Sequence, residues 1–377
     1  MLSKNKMLGL MLAALPVAAL SAPAQAQVAG DKIPDSYICV FKKIAVSRGQ
    51  AESEAHRSVK AQGGQVTHVY SATIRGFSAN MPAQAVQRMQ ANNPNIAYCE
   101  QDQVMATPPI RIEGKPGSGG GTQPAQETPW GIARVKGGAA GTFGTAWVID
   151  TGIDYTHPDL NVDTARSRSF LGGTTTPVDQ NGHGTHVSGT IAACDNAIGV
   201  IGVAPCARVV AVRVLDRRGS GSNSGVIAGV DYVGQVGQPG DVANMSLGGG
   251  VSQALDDAVV NASNSSGVKF ALAAGNESSD ANLHSPARAN GPNIYTVSAF
   301  SIGNNWASFS NFGNPPIDYA EPGVSIKSTW LASGYNTISG TSMATPHLAG
   351  ILLAGAPKPD GVVSGDPAAP ADTIGTR

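Results

Sequence analysis

The sequence predicts an α/β protein, a mainly parallel sheet flanked by helices on both faces, preceded by a smaller α+β unit. Three observations predict it. From Pro129 onward, short apolar runs alternate with helix-patterned segments, which is the signature of βαβ units. Residues 27–105 carry a separate strand and helix pattern, set off by a Pro- and Gly-rich stretch. Finally, 47 Gly in 377 residues and only 14% charged residues favour tight turns and close helix-on-sheet packing; about 7% Gly and 25% charge are usual.

The elements follow in order. Residues 1–26 open with Lys4 and Lys6, run apolar from Met7 to Leu20 and end in Ala24-Gln25-Ala26. That is the layout of a secretory signal peptide cleaved after Ala26, and it predicts a secreted, extracellular protein; an uncleaved anchor is the alternative. Within 27–105, SYICVFKK (36–43) reads as a strand and AESEAHRSVKAQ (51–62) as a helix that Gly63-Gly64 stops. Strands QVTHVY and TIRGFSANM follow, then helix PAQAVQRMQA with Pro82 at its start, and IAYCEQDQVM closes the unit. A βαββαβ order is ferredoxin-like and sets the first and last strands side by side, which would bring Cys39 to Cys99.

Residues 106–128 hold Pro, Gly and polar residues without apolar period and read as a flexible, protease-accessible linker. From 129 to 377, TAWVID, RVVAVRVLD, DVANMSL, VKFALAA and IYTVSAF are the strands of the body, with helical segments between them. In such a sheet, sites form at the carboxyl ends of strands.

A formal net charge of −1 with no Lys/Arg run gives no footprint for nucleic acid or an anionic membrane. Four cysteines in an exported chain suggest two disulfides, Cys194–Cys206 around a short loop and Cys39–Cys99, with buried free thiols as the alternative.

Three residues at predicted strand or helix ends carry the chemistry. Asp150 ends AWVID, His183 sits in NGHGTHVSGT, and Ser342 opens the apolar helix of SGTSMATPHLAG. Taken singly, they could be a turn residue, half of a metal pair and a helix cap. Taken together, they supply a hydroxyl nucleophile, an imidazole to carry its proton and a carboxylate to hold the imidazole's tautomer. A helix starting at Ser342 also aims backbone N–H groups at a developing oxyanion. Asn276, in ALAAGNES, offers a side-chain amide as a second donor.

The blocks VIDTGIDYTHPDL, NGHGTHVSGTIA, NMSLGGG, AAGNES and SGTSMATPHLAG resemble those of the subtilisin family of serine proteases, in the family's order Asp, His, Ser. The N-terminal unit, with IRGFSANM and IAYCEQDQVM, resembles the family's propeptide, a chaperone and inhibitor of its own enzyme. The resemblance implies a self-processing zymogen of an endopeptidase acting on protein or peptide substrates, a reaction that needs no redox cofactor or nucleotide; the sequence leaves the oligomeric state open, with a monomer as the default. It implies substrate edges at Gly219-Ser220-Gly221 and Ser246-Leu247-Gly248-Gly249, with the specificity pocket at Gly275, Glu277 and His284. Arg217 and Arg218, beside the first edge, would either favour acidic substrates or simply be solvated.

It further implies a structural calcium ion on CDNAIGVIGVAPC, through backbone oxygens of Cys194, Ile198 and Val200 and side-chain oxygens of Asn196, Asp159 and Gln126. Two departures stand out. Pro124 precedes the usual mature start, which leaves the maturation site anywhere between Met105 and Glu127, and past Gly355 a short strand replaces the family's terminal helices. A lipase reading lacks the GxSxG elbow. An inactive binding module, or an inhibitor acting on other proteases, are the readings from other classes.

Overall fold

The computed structural model describes residues 28–108, 111–113, 123–173 and 175–377. The predicted leader, 1–26, lies outside the described residues. The N-terminal unit contains β1 (Lys32–Phe41), α1 (Ala51–Lys60), β2 (Gln65–Tyr70), β3 (Gly76–Asn80), α2 (Ala83–Asn92) and β4 (Ile96–Ala106). Its antiparallel order, β2-β3-β1-β4, is the ferredoxin-like one. Cys39 faces Cys99 across β1 and β4, and the two form a disulfide.

Period-two alternation decides what this sheet covers. Cys39 and Phe41 face α1 and α2, packing with Ala55, Val59, Val86 and Met89. Ile38 and Val40 face the other way, into the core of the body with Val226, Val230 and Leu255. Both faces are therefore buried. Pro82 is the N-cap of α2 rather than its first residue. The predicted strand from Thr73 begins only at Gly76, because the N–H groups of Ser71, Ala72 and Thr73 all donate to Asp231 of the body.

The chain continues through β5 (Arg111–Ile112), α3 (Trp130–Arg134), β6 (Thr145–Asp150), β7 (Arg168–Ser169), α4 (His183–Ala192), β8 (Arg208–Arg213), β9 (Ser220–Ser222) and α5 (Asn223–Val236). After these come β10 (Val242–Met245), α6 (Gln253–Ser266), β11 (Lys269–Ala273), β12 (Ile294–Ser301), β13 (Asn305–Trp306) and β14 (Ile317–Pro322). The last elements are β15 (Ile326–Trp330), β16 (Gly334–Ser339), α7 (Thr341–Ala354), β17 (Lys358–Val362) and β18 (Thr373–Thr376).

The large sheet runs β17-β18-β14-β12-β11-β10-β6-β8-β7 and is parallel from β18 to β7. Trp147 and Ile149 of β6 pack on the face covered by α5 and α6, while Ala146 and Val148 pack on the face covered by α4 and α7. Burial on both faces is why the strands read as unbroken apolar runs. From β6 the chain fills the sheet toward β8 and β7, then returns past β6 to β10, β11 and β12. That reversal opens a crevice at the carboxyl ends of β6 and β10. The short terminal strand is a pair, β18 joining the sheet and β17 folding back on it.

The N-terminal unit grips the body by its helix ends. Ser252 and the Ala254 N–H donate to Glu100, and the Ser224 N–H donates to Asp102 at 3.1 Å. Two carboxylates of β4 thus sit at the N-termini of α6 and α5, where helix dipoles favour negative charge. The described parts of the predicted flexible linker are anchored as well. Ala125 and Glu127 bridge to Ile198 and Val200, and β5 pairs with β16. Backbone donors and acceptors make these contacts, so no side-chain periodicity announces them.

Candidate active site

Asp150 and His183 meet where β6 ends and α4 begins. His183 Nδ1 lies 2.9 Å from both Asp150 Oδ1 and Oδ2, and both residues are fully buried. Glycines make the approach possible. Gly182 has φ +108°, and a Cβ there would lie 2.5 Å from the Trp330 ring; a Cβ on Gly184 would overlap the Gly152 carbonyl in the Asp150 turn. A second carboxylate, Asp179, organises the helix start. It accepts from the N–H groups of Asn181, Gly182 and Thr185 and from the hydroxyls of Thr151 and Thr185. The Thr151 hydroxyl in turn accepts the Gly184 N–H. Sequence reasoning missed Asp179; the signal was an Asp three residues before a Gly-rich helix start.

The second histidine of the HGTH string takes a different partner. His186 Nε2 lies 3.0 Å from the Ile326 carbonyl, and burial pushes its imidazole down to about 3. Among the described residues no group of three metal-ligating side chains forms.

Ser342 is the second residue of α7, whose surroundings are set by a proline. Pro346 has no N–H, so the carbonyl four residues earlier, that of Ser342, lacks its helical donor. The Ser246 hydroxyl donates to it at 2.9 Å instead, and Asn244 Nδ2 donates to the Ser246 hydroxyl. The turn that carries Ser342 is thereby tied to the end of β10. Next to it, the Thr341 N–H and hydroxyl both donate to Asn276 Oδ1, at 2.9 and 2.8 Å. Thr341 was not legible as a positioning residue.

The Ser342 hydroxyl donates to the Ser246 carbonyl at 3.2 Å, and His183 Nε2 is buried with no hydrogen-bond partner among the described residues. Across the crevice lies the chain's own segment 104–107. Val104, Met105 and Ala106 pair antiparallel with Ser222, Gly221 and Ser220. On the other side Ala106 exchanges two hydrogen bonds with Gly248, at 3.1 and 3.0 Å, and the Thr107 N–H donates to the Gly219 carbonyl. Both predicted substrate edges therefore hold a strand. Pro108 lines a cavity of about 500 Å³ with Gly248, Gly249, Ala273, Ala274, Gly275, Glu277 and His284. Its walls are mostly small and apolar, with Glu277 and His284 the ionisable exceptions. Glu277 and His284 lie 3.9 Å apart, and Asn311 holds Glu277 at 2.7 Å. Leu247 is buried in the core behind this edge. Arg217 and Arg218 are exposed, with Arg218 paired to Asp216.

The 194–206 loop is closed by the Cys194–Cys206 disulfide. Asp159 is fully buried beneath it, and burial pushes its carboxyl above the usual carboxylate range. No Lys or Arg among the described residues pairs with it. Asn196 Nδ2 and the Val200 N–H donate to its carboxylate, Gln126 Oε1 accepts the Asn196 N–H, and Asn196 Oδ1 accepts the Ile198 N–H. The Tyr335 hydroxyl donates to Asp159 as well, at 3.2 Å, so this buried carboxylate sits with the side-chain oxygens of Gln126, Asn196 and Tyr335, hard donors of the kind calcium takes.

Comparison with known proteins gives one answer throughout. Residues 147–354 match the family model described as the subtilase family. The chain is 40% identical over 352 residues to alkaline serine exoprotease A of Vibrio alginolyticus, covering 87% of this chain and 62% of that protein. It is 39% identical to the extracellular serine proteinase of Thermus sp. (strain Rt41A), covering 87% and 82%, and 38% identical to subtilisin E of Bacillus subtilis (strain 168), covering 86% and 81%. A crystal structure of a cold adapted subtilisin-like serine proteinase superposes with a TM-score of 0.52 at 46% identity, over 59% of this chain and 82% of the other.

Proposed function

The chain belongs to the subtilase family of serine proteases, and on that premise we propose that it is a secreted serine endopeptidase, made as a zymogen that removes its own N-terminal unit. The observation that carries the reading is the Asp150–His183 contact at the mouth of a crevice already filled by an extended strand. Ser342 attacks the peptide carbonyl while His183 Nε2 takes its proton, and Asp150 holds Nδ1–H and stabilises the imidazolium that forms. The Ser342 N–H, at a helix start, and the Asn276 amide receive the oxyanion. His183 returns the proton to the leaving amine, and water releases the acyl group.

Peptide and protein substrates would enter as the strand between Ser220–Ser222 and Gly248, with one side chain in the cavity beside Gly275. We assign residues 27–105 to the inhibitory propeptide, 106–128 to the processed linker and 129–377 to the peptidase body, acting as a monomer. Gln126, Asp159 and Asn196, with the carbonyls of Cys194, Ile198 and Val200, would hold calcium. Bound there, calcium would balance the charge of Asp159 and help tie residues 123–127 to the body, outside the chemistry.

The test is intact and peptide mass spectrometry of the secreted protein with a fluorophosphonate probe, beside a Ser342→Ala control. Probe mass on Ser342 and a form lacking the N-terminal unit, both absent from the control, are expected. A full-length, unlabelled protein without caseinolytic activity, even after another protease removes the unit, would leave only a protease-like binding module.

A further inference from the structure

The segment that leads into His183 has little apolar anchorage of its own. Between Thr175 and Asn181 only Asp179 is buried, and Val178 bridges to Ile153. A side chain from another strand supplies the support. Arg213, the last residue of β8, is 3% exposed, and every nitrogen of its guanidinium donates to an oxygen. Nη1 donates to the Thr176 and Val178 carbonyls, both at 2.9 Å, and Nη2 to Gln180 Oε1 at 3.0 Å. Nε donates to the Leu215 carbonyl at 3.3 Å. Arg213 is also the register neighbour of Asp150 in the sheet, and the Val214 and Leu215 N–H groups both donate to the Asp150 carbonyl, at 2.9 and 3.2 Å. One planar fork therefore joins the backbone that holds Asp150 to the segment that runs into His183.

We propose that Arg213 is a positioning residue for the reaction: by clamping residues 176–180 to the end of β8 it keeps the His183 imidazole in place against Asp150, and its charge balances the carboxylates gathered behind that imidazole. The proposal rests on the protease reading above. None of the four acceptors of Arg213 is a carboxylate. Asp179 and Asp216 act on the cation through space, and Asp150 lies beside it on β6. An apolar side chain could fill the same volume without the cost of burying a charge. It could not hold a segment by its carbonyls. Lysine is no substitute either, because an ammonium on a flexible stem lacks the fixed plane of five donors that reaches both segments at once.

The path from Arg213 to the imidazole is short and continuous. Asp179 lies between two of the clamped residues, Val178 and Gln180, and accepts the Gly182 and Thr185 N–H groups at the start of α4. The Thr151 hydroxyl donates to Asp179 and accepts the Gly184 N–H. A shift of residues 176–180 therefore passes to His183 through these bonds, while Asp150 stays with β6 and Leu215. An error of about 1 Å in the placing of a reacting group costs about 10²-fold in rate.

The experiment compares the self-processed wild type with Arg213→Lys, Arg213→Met and Gln180→Ala. Steady-state kinetics on a chromogenic peptide are counted per site labelled by a fluorophosphonate probe and followed across pH. Arg213→Lys keeps the charge and loses the fork. It is expected to lower kcat about tenfold with KM nearly unchanged, and to leave the acid limb of the kcat/KM profile in place. Arg213→Met loses both and is expected to lower kcat about 10²-fold and to move that limb to higher pH, since one positive charge fewer then opposes protonation of His183. His186 does not enter that limb, because burial holds it down to about 3. Gln180→Ala removes one exposed acceptor, serves if Arg213→Met does not fold or mature, and is expected to lower kcat about fivefold. Wild-type kcat in Arg213→Lys and Gln180→Ala, or wild-type kcat and acid limb in a folded Arg213→Met, would overturn the proposal even if the variants melted lower. An active, labelled wild type would then leave the protease reading standing. A wild type that neither labels at Ser342 nor cleaves the peptide would remove both.

Discussion

Thr341, one residue before Ser342, gives both its N–H and its hydroxyl to the side-chain oxygen of Asn276. The hydroxyl also accepts the Gly275 N–H at 3.2 Å. One threonine therefore fixes the rotamer of the amide and the turn that carries it. Thr341→Val keeps the shape, removes the hydroxyl and is expected to lower kcat about tenfold with KM nearly unchanged. Asn276→Ala is expected to cost 10²–10³ in kcat, the loss known for this donor in subtilisin itself. Steady-state kinetics on a chromogenic peptide measures both.

Asp150→Asn keeps the buried contact but reverses its donor sense, so His183 is held in the wrong tautomer. The expected loss is about 10⁴ in kcat, with folding intact. Activity and a circular dichroism melt on the same preparation separate the two effects.

Asp179 accepts five hydrogen bonds at the start of α4. Asp179→Ala leaves those donors unpaired in a buried site and is expected to destabilise by about 2–4 kcal/mol. Denaturant unfolding in a Ser342→Ala background, where self-digestion is absent, gives the value.

Asp159 predicts a calcium-dependent melting temperature. Chelator is expected to lower the wild-type melt, by the equivalent of about 2.7 kcal/mol if calcium stood at a hundred times its dissociation constant. Asp159→Asn is expected to melt low and to ignore calcium. Removing the Cys194–Cys206 bridge, which spans 12 residues, is expected to cost about 3 kcal/mol on the chain-entropy account. A chelator-insensitive wild type would remove the calcium assignment.

Between the N-terminal unit and α6, burial raises Glu100 and pushes Asp256 up to about 7, with Asp257 adding to the repulsion and Arg288 opposing it. A carboxyl raised in the folded state binds its proton more tightly there than when unfolded. Its contribution is complete below the unfolded value near 3.8 and is lost as pH rises toward about 7. His68, lowered by burial, works in the opposite sense. The difference between wild type and Asp256→Asn isolates the carboxyl. In the full-length Ser342→Ala protein, the melting temperature of the wild type is expected to fall relative to the variant between pH 4 and 7.

The large sheet and the Asp150–His183 contact were legible because each rests on a local pattern, an apolar run ending in Asp150 or a glycine-flanked His183. The Cys39–Cys99 pairing was legible through strand order alone. Asp179, Thr341 and Pro346 were not, since their roles consist of bonds to backbone groups brought near only by folding. The register of residues 104–108 was equally hidden. It depends on two edges more than a hundred residues downstream, and a segment bound through its backbone leaves no apolar period behind.

Pro346 illustrates the tension between a durable scaffold and a working one. Anyone improving this chain for heat resistance by helix propensity alone would replace it first, because proline inside a helix costs about 3 kcal/mol relative to alanine. The replacement would restore an N–H aimed at the Ser342 carbonyl, in competition with the Ser246 hydroxyl that now holds it. A hardier but slower enzyme is the outcome such a trade-off forecasts. The break in α7 leaves the Ser342 carbonyl to the Ser246 hydroxyl, a contact that an unbroken helix would contest.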